Sequence, residues 1–115
     1  MRLKADYMRY LAESSEGEKR KAYSQYAENL YQEATKKADS LPSYNPVKLG
    51  TALNYSIYFY EIAFNRTKAV KTARDAFDRC QSNMGKVPDD TLKDVQILQG
   101  LLRDNLMMWC MIEDE

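Results

Sequence analysis

The feature that most constrains this sequence is a helical spacing of apolar residues that runs through nearly the whole chain. Apolar and aromatic side chains recur every three or four residues, which is the spacing of one face of an α-helix, whereas a half-buried strand would alternate. Segments 14–17, 41–43 and 85–88, which carry Gly, Pro or small polar residues, and a joint near residue 65 interrupt the spacing. The sequence therefore predicts an all-α protein, an antiparallel bundle of about five helices.

The predicted helices cover residues 3–14, 18–40, 45–64, 66–83 and 89–112. The third has the clearest start, because Asn45 is a favourable N-cap and Pro46 has no N–H to leave unpaired at the first helical position. Short connections between the helices favour antiparallel neighbours. Since no linker or low-complexity segment is found, residues 1–115 are expected to form a single helical domain.

Each predicted helix has an apolar face at helical spacing. In chain order, these faces are Leu3, Tyr7, Tyr10 and Leu11; Ala22, Tyr26, Leu30, Ala34 and Ala38; Leu49, Leu53, Ile57, Tyr60 and Phe64; Ala69, Ala73, Ala76 and Cys80; and Leu98, Leu101, Leu102, Leu106 and Trp109. A chain of 115 residues is the length of about one domain, so the five faces predict one core of modest size.

The composition argues against several classes of function. Seventeen basic residues balance seventeen acidic ones, so no net field favours nucleic acid or an anionic membrane surface. The chain has no histidine, which removes the usual general base, and Cys80 and Cys110 lack the spacing of common zinc sites. We therefore expect neither an enzyme nor a bound metal or cofactor. No apolar stretch approaches the roughly 18 residues that span a membrane, so we expect a cytoplasmic protein with free thiols.

Three segments of the chain resemble one known family. They are residues 6–13 (DYMRYLAE), 45–62 (NPVKLGTALNYSIYFYEI) and 101–109 (LLRDNLMMW). Together they resemble the 14-3-3 proteins, which are all-helical adaptors that bind phosphoserine or phosphothreonine peptides. The resemblance identifies the segments as parts of the fifth, seventh and ninth helices of that fold, and it covers only the second half of it.

The resemblance implies a phosphate-binding role for three residues of the first helix. Arg9 and Tyr10 match positions whose guanidinium and hydroxyl groups hold the phosphate, and Lys4 matches a basic position at the edge of the groove. A guanidinium suits this role because its planar fork of donors fits phosphate oxygens. Without the resemblance, such an Arg-Tyr pair is more often a surface charge beside a packing ring, and Lys4 a solvated lysine.

The resemblance also implies a peptide-binding groove along the third and fifth helices. Its residues are Asn54, Ile57, Glu61, Leu98, Leu101, Asn105, Met108 and Trp109. Asn54 and Asn105 would hydrogen-bond the peptide backbone, while the others would supply an apolar wall and a polar network. Taken alone, Asn54 is more often part of a satisfied bond between helices and Trp109 a core residue. We expect Trp109 to serve in both the core and the groove.

The expected partners follow from the same resemblance. They are phosphorylated client proteins or peptides, together with self-association or a second chain that supplies the missing half. The first four helices of the family, which carry two further basic phosphate ligands, have no counterpart in this sequence, so Leu3, Tyr7 and Leu11 are expected to lack part of their cover. One alternative is a structural helical fragment that associates without binding phosphopeptide. Another is a tetratricopeptide-like scaffold for unmodified peptides, although no repeat of about 34 residues is found.

Overall fold

The computed structural model describes residues 2–113, and side chains are described as far as Cys110. Five α-helices follow one another: α1 (Arg2–Glu13), α2 (Gly17–Ala38), α3 (Pro46–Glu61), α4 (Arg66–Gln81) and α5 (Asp89–Glu113). A 3₁₀ turn, Met84–Lys86, precedes α5, and no strand occurs within residues 2–113. The predicted all-α fold of five helices is therefore confirmed, while residues 1, 114 and 115 of the expected domain lie outside the described part.

Asparagine side chains begin two of the helices. The Oδ1 atom of Asn45 accepts hydrogen bonds from the backbone N–H groups of Val47 at 2.9 Å and Lys48 at 3.3 Å, which confirms the predicted start of α3. Asn65 caps α4 in the same way, accepting from the backbone N–H of Lys68 at 3.1 Å. The predicted ends of α2, α3 and α4 were each slightly too long. After α3 the backbone leaves the helical region, and Phe64 has a φ of 52°.

Helix α3 lies at the centre of the fold, because it contacts each of the other four helices. We call α1, α3 and α5 the odd layer, since α3 contacts both α1 and α5. The even layer consists of α2, which packs on α1 and α3, and α4, which packs on α3 and α5. The shortest dimension of the molecule is 19 Å, which corresponds to about two helix diameters. The fold is thus two helices thick.

A cluster of aromatic rings joins α2 to α3 in the core. Tyr31 and Tyr55 stack with ring centroids 5.3 Å apart, and Tyr55 stacks in turn on Phe59 at 4.3 Å. Tyr58 packs against both Tyr31 and Phe59. Each such pair contributes about 0.5–1.5 kcal/mol beyond the burial of its area. The cluster therefore fixes how α2 faces α3.

The apolar face predicted on α1 is not the face that the helix buries. Its buried residues are Ala5, Arg9 and Ala12, whereas Leu3 and Tyr7 are 77% and 59% exposed. The small side chains of Ala5 and Ala12 allow close helix packing on this face, while the larger side chains point away from it. The exposure of Leu3 and Tyr7 agrees with the expectation that their face lacks part of its cover.

The predicted face of α2 was only half right. Ala34 and Ala38 are buried as expected, but Ala22 and Tyr26 are exposed. A strict spacing of four advances about 40° beyond a full turn at each step, so residues that are 16 positions apart do not share one face. In the first half of α2 the core face is instead provided by Ala27, and by Tyr31 one turn later.

The predicted faces of the last three helices are largely confirmed. Leu49, Leu53, Ala69, Ala73, Cys80, Leu102, Leu106 and Trp109 are buried, and Ile57, Tyr60, Ala76 and Leu98 pack against them at the edge of the core. Phe64 and Leu101 are exposed, although Leu101 was also expected to line a groove. Phe64 lies beyond the end of α3, and Leu101 points away from its buried neighbour Leu102.

We expect Phe64→Asn to stabilise the protein by about 1 kcal/mol, because a left-handed backbone costs most non-glycine residues roughly 1–2 kcal/mol and asparagine tolerates it better. Phe64 is 78% exposed, so little packing is lost. Its contact with the Arg20 guanidinium, 5.6 Å from the ring centroid, contributes about 0.5–1 kcal/mol at most at an exposed site. Urea unfolding followed by circular dichroism measures the change.

The matched control is Tyr26→Asn, which replaces an exposed aromatic residue inside the regular helix α2. The backbone at Tyr26 is helical, so the tolerance of asparagine for left-handed geometry gains nothing there. Asparagine is also a poor helix former. This variant should be neutral or less stable than the parent. A loss of stability in Phe64→Asn as large as that in Tyr26→Asn would contradict the expected release of strain.

Candidate functional site

Arg9 is a buried arginine that forms no ion pair with any of the described residues. Its side chain is only 6% exposed, although arginine is rarely buried unless it is paired. The atoms Nε and Nη1 have no hydrogen-bond partner within the described residues. An unpaired buried charge is costly, so an anion that reached this guanidinium would stabilise it.

Tyr10 lies beside this guanidinium on the solvent side of α1. The Arg9 guanidinium carbon is 4.9 Å from the centroid of the Tyr10 ring, which is a cation–π distance. Tyr10 itself is 56% exposed. Two of the three residues of the predicted phosphate site are therefore adjacent, one buried and one accessible.

Lys4, the third predicted phosphate ligand, is placed elsewhere. Its ammonium group lies 5.5 Å from the centroid of the Tyr26 ring of α2. Five residues separate Lys4 from Arg9, which corresponds to about 140° around the helix axis. The structure therefore does not bring Lys4 beside Arg9, and its role at the edge of the groove stays a prediction.

Asp6 connects three helices next to Arg9. One carboxylate oxygen accepts a hydrogen bond from the Tyr31 hydroxyl of α2. The other accepts from the side-chain amide of Asn54 in α3 at 3.2 Å. Asn54, a predicted backbone ligand, is thereby tied to α1 one turn before Arg9. Sequence reasoning did not single out Asp6, although the segment DYMR places it three residues before the arginine.

The tyrosines around this connection are kept protonated by burial. Burial is the main cause that raises the pKa of Tyr31, and its hydrogen bond to Asp6 raises it further. Burial, together with the charge of Glu28, raises the pKa of Tyr55 to about 12. Burial also raises the pKa of Tyr58. Because the phenols stay neutral, the Tyr31 hydroxyl remains a hydrogen-bond donor to Asp6.

The predicted groove residues of α3 share one side of the helix. Asn54, Ile57 and Glu61 fall within an arc of about 60°. Asn54 and Ile57 are partly buried, whereas Glu61 is exposed. Asn54 is the one joined to α1 by a described hydrogen bond, through Asp6.

The predicted groove residues of α5 differ in exposure. Leu98 and Asn105 are partly buried, while Leu101 and Met108 are 46% and 52% exposed. Leu98 also lines a cavity of about 340 Å³ together with Arg2 and Val47. Leu101, Asn105 and Met108 fall within an arc of about 60° on one side of α5.

Trp109 is primarily a core residue. It is only 2% exposed, and its ring stacks on Tyr60 of α3 with centroids 4.7 Å apart and planes inclined by 13°. Of the two roles expected for it, packing is the one observed. Its contribution to a groove stays a prediction.

All the predicted site residues belong to the odd layer. A cavity of about 260 Å³ lies elsewhere, between α2, α3 and α4, with Leu49, Ala52 and Tyr55 among its lining, and none of the predicted residues borders it. Within residues 2–113, no group of three or more Cys, Asp or Glu side chains is arranged to hold a metal ion. None of the described helices is both long and apolar enough to cross a membrane.

Comparison with known proteins gives consistent matches. The family model described as 14-3-3 protein matches residues 1–110. A 14-3-3 protein homolog of Encephalitozoon cuniculi is 40% identical over 99% of this chain and 44% of its own length. The 14-3-3 protein 2 of Entamoeba histolytica is 42% identical over 94% of this chain and 45% of its own length. The 14-3-3 protein of Eimeria tenella is 43% identical over 94% of this chain and 39% of its own length. The chain therefore spans less than half the length of these relatives.

The raised pKa of Tyr55 predicts a loss of stability at alkaline pH. A folded-state pKa of about 12 against an ordinary 10.0 means that the folded protein holds this proton more tightly. This proton contributes up to roughly 3 kcal/mol to the free energy of unfolding. The contribution is complete below the pKa of Tyr55 in the unfolded chain and is lost as the pH rises through its pKa in the folded protein. Urea unfolding measured between about pH 9 and pH 12 should therefore show a shallower decline in Tyr55→Phe than in the parent.

The control is Tyr7→Phe, which removes the hydroxyl of a tyrosine that is 59% exposed. A decline made as shallow by Tyr7→Phe as by Tyr55→Phe would show that the effect is not specific to the buried phenol. Equal slopes in the parent and in Tyr55→Phe would contradict the expected contribution of the buried phenol.

Proposed function

This chain belongs to the 14-3-3 family, and from that premise we propose that it provides one side of a binding groove for phosphoserine or phosphothreonine peptides. It acts as an adaptor and catalyses no reaction. The single observation that supports this most strongly is the buried guanidinium of Arg9, whose Nε and Nη1 atoms lack partners in the described part of the chain. A phosphate group supplies both the negative charge and the acceptor oxygens that these donors need.

Tyr10 and Arg9 together form the proposed phosphate site. The arginine contributes charge and a fixed fork of donors, and the exposed tyrosine adds a neutral hydroxyl donor. The guanidinium carbon lies 4.9 Å from the centroid of the Tyr10 ring, and this proximity supports a shared phosphate site. Because Arg9 is already desolvated, its attraction to phosphate is weakened less by water than that of a surface lysine.

Two asparagines are proposed to hold the peptide backbone on either side of the phosphate. Asn54 is positioned by Asp6, and the partly buried Asn105 lies on α5 near exposed apolar side chains. The apolar wall consists of Leu98, Leu101 and Met108, with Ile57 and Glu61 on the opposite helix. An extended peptide loses water from its N–H and C=O groups on binding, so such ligands are needed to replace those bonds.

The affinity of this chain alone should be low. The resemblance implies two further basic phosphate ligands that this sequence does not contain. A hydrogen bond to a charged group contributes roughly 1.5–3 kcal/mol, so their absence removes on the order of 3–6 kcal/mol. A complete site with a dissociation constant of about 1 μM would weaken to about 0.1 mM or more.

Titration calorimetry with a phosphoserine peptide and its unphosphorylated form tests the proposal. Arg9→Ala should abolish the preference for the phosphorylated form, because it removes the charge that reads the phosphate. Asn105→Ala should weaken both forms by a similar factor, since this side chain is proposed to bind backbone. Arg79→Ala, an exposed arginine of the even layer, should change neither affinity.

Two results would count against this account of the site. One is a phosphopeptide preference that survives Arg9→Ala. The other is micromolar binding by a monomeric chain to which no second chain lends basic residues, because the missing charge would then be unnecessary.

The exposed face of α1 favours an accompanying association. Leu3 and Tyr7 are 77% and 59% exposed, and they lie one turn apart on the same side of the helix. Apolar patches of this kind usually mark an interface. We therefore propose that this face packs against a second chain that supplies the missing half of the groove, or against a second copy.

Light scattering over a range of concentrations tests this association. We expect a mass above that of the monomer and binding of a hydrophobic dye, both reduced in the double variant Leu3→Lys/Tyr7→Lys. Met107→Lys, which changes an apolar residue of α5 that is 56% exposed, serves as the control and should not reduce the mass. A compact monomer that binds no dye would contradict the proposed interface.

A further inference from the structure

Asp6 and Arg9 do not pair, although their positions favour it. They lie three residues apart on α1, the spacing at which opposite charges commonly form an ion pair on a helix. Instead, both Asp6 oxygens accept hydrogen bonds from neutral donors, the Tyr31 hydroxyl and the Asn54 amide. The Nε and Nη1 atoms of Arg9 have no partner among residues 2–113, Asp6 included.

We propose that Tyr31 is a positioning residue that keeps Arg9 free for phosphate by holding the Asp6 carboxylate away from it. This inference rests on the phosphate-binding role proposed for Arg9. Tyr31 belongs to α2 in the even layer and is itself fully buried, so it acts without touching the peptide. Its effect is on the preference for the phosphorylated form, not on the binding of peptide backbone.

The physical reason is competition for one guanidinium. A carboxylate that reaches Arg9 would form a hydrogen-bonded ion pair in which both groups are charged, whereas its present bonds have neutral donors. It would also satisfy the donors that phosphate is proposed to use, and phosphate would then have to displace it. Two neutral donors on Asp6 remove this competitor while leaving the positive charge of Arg9 in place.

Tyr31 is well suited to hold Asp6. Its ring is immobilised by stacking on Tyr55 at 5.3 Å and by contact with Tyr58 at 5.8 Å. Since the neighbouring rings fix the direction of its hydroxyl group, Asp6 is held in one orientation. Asn54 contributes the second bond at 3.2 Å. Without the Tyr31 hydroxyl, one Asp6 oxygen would be free to turn toward Arg9.

Three variants of the full chain isolate this effect. Tyr31→Phe removes the hydroxyl group that holds Asp6 and preserves the aromatic ring. Tyr55→Phe is the matched control, since it also removes a hydroxyl group from the aromatic cluster. The Tyr55 hydroxyl lies beside Gln32 and does not bind Asp6. The double variant Tyr31→Phe/Asp6→Asn replaces the released carboxylate with an amide that cannot form an ion pair with Arg9.

The first measurement is the ratio of dissociation constants for unphosphorylated and phosphoserine peptides, obtained by NMR titration because the affinities are low. We expect Tyr31→Phe to reduce this ratio about tenfold, equivalent to roughly 1.4 kcal/mol. Tyr55→Phe should retain the parental ratio, and the double variant should recover it. A purely structural role of Tyr31 would not produce recovery through Asp6→Asn.

The second measurement uses the free protein and needs no peptide. The Nε–H resonance of Arg9 should shift in Tyr31→Phe, when Asp6 pairs with the guanidinium, and return in the double variant. An unchanged resonance in Tyr31→Phe would overturn the inference, whatever the peptides do. So would a ratio unaffected by Tyr31→Phe in a parent that prefers phosphopeptide. A third outcome separates the two proposals. If the Arg9 resonance shifts in Tyr31→Phe but the parent shows no preference for phosphopeptide, the positioning by Tyr31 is supported and the proposed function is refuted.

Discussion

The burial of α3 is the constraint on which the rest of the structure depends. This helix contacts the other four, and its aromatic residues pack on those of α2 on one side while Tyr60 stacks on Trp109 of α5 on the other. A helix surrounded in this way must be apolar around most of its circumference. The few polar side chains it retains, such as Asn54, are correspondingly informative, because each must find a partner where water is scarce.

The positions of the helices could be predicted from the sequence, but the buried faces of the first two could not. Caps such as Asn45 act locally, so they are visible in the order of residues. Which side of a helix is buried depends on its neighbours, and on α1 the small residues Ala5 and Ala12 are buried while the large Tyr7 is exposed. A pattern based on hydrophobicity favours the large side chains, although close packing here uses the small ones.

The resemblance placed Arg9 and Asn54 in one site, and that site stays a prediction. The structure ties Asn54 to α1 one turn before Arg9, through Asp6, which was not among the predicted residues. The role of Asp6 leaves no signal in the order of residues, because neither of its partners, Tyr31 and Asn54, is near it in the chain. The burial of Arg9 was likewise unpredictable, because it depends on how three helices meet. Spacing along one helix carries no information about such contacts.

The arrangement of contacts around α1 has a consequence for cooperativity. Its main contacts are with α2 and α3, and the pair α1–α2 is held to the remaining helices chiefly through α3. Such a pair can open as a unit at a lower free energy than global unfolding requires. Opening would separate Arg9 from Asn54 and so dismantle the proposed site. A ligand that binds both Arg9 and Asn54 would stabilise the closed state of the α1–α2 pair. Amide exchange in α1 and α2 should therefore slow as the ligand site becomes occupied.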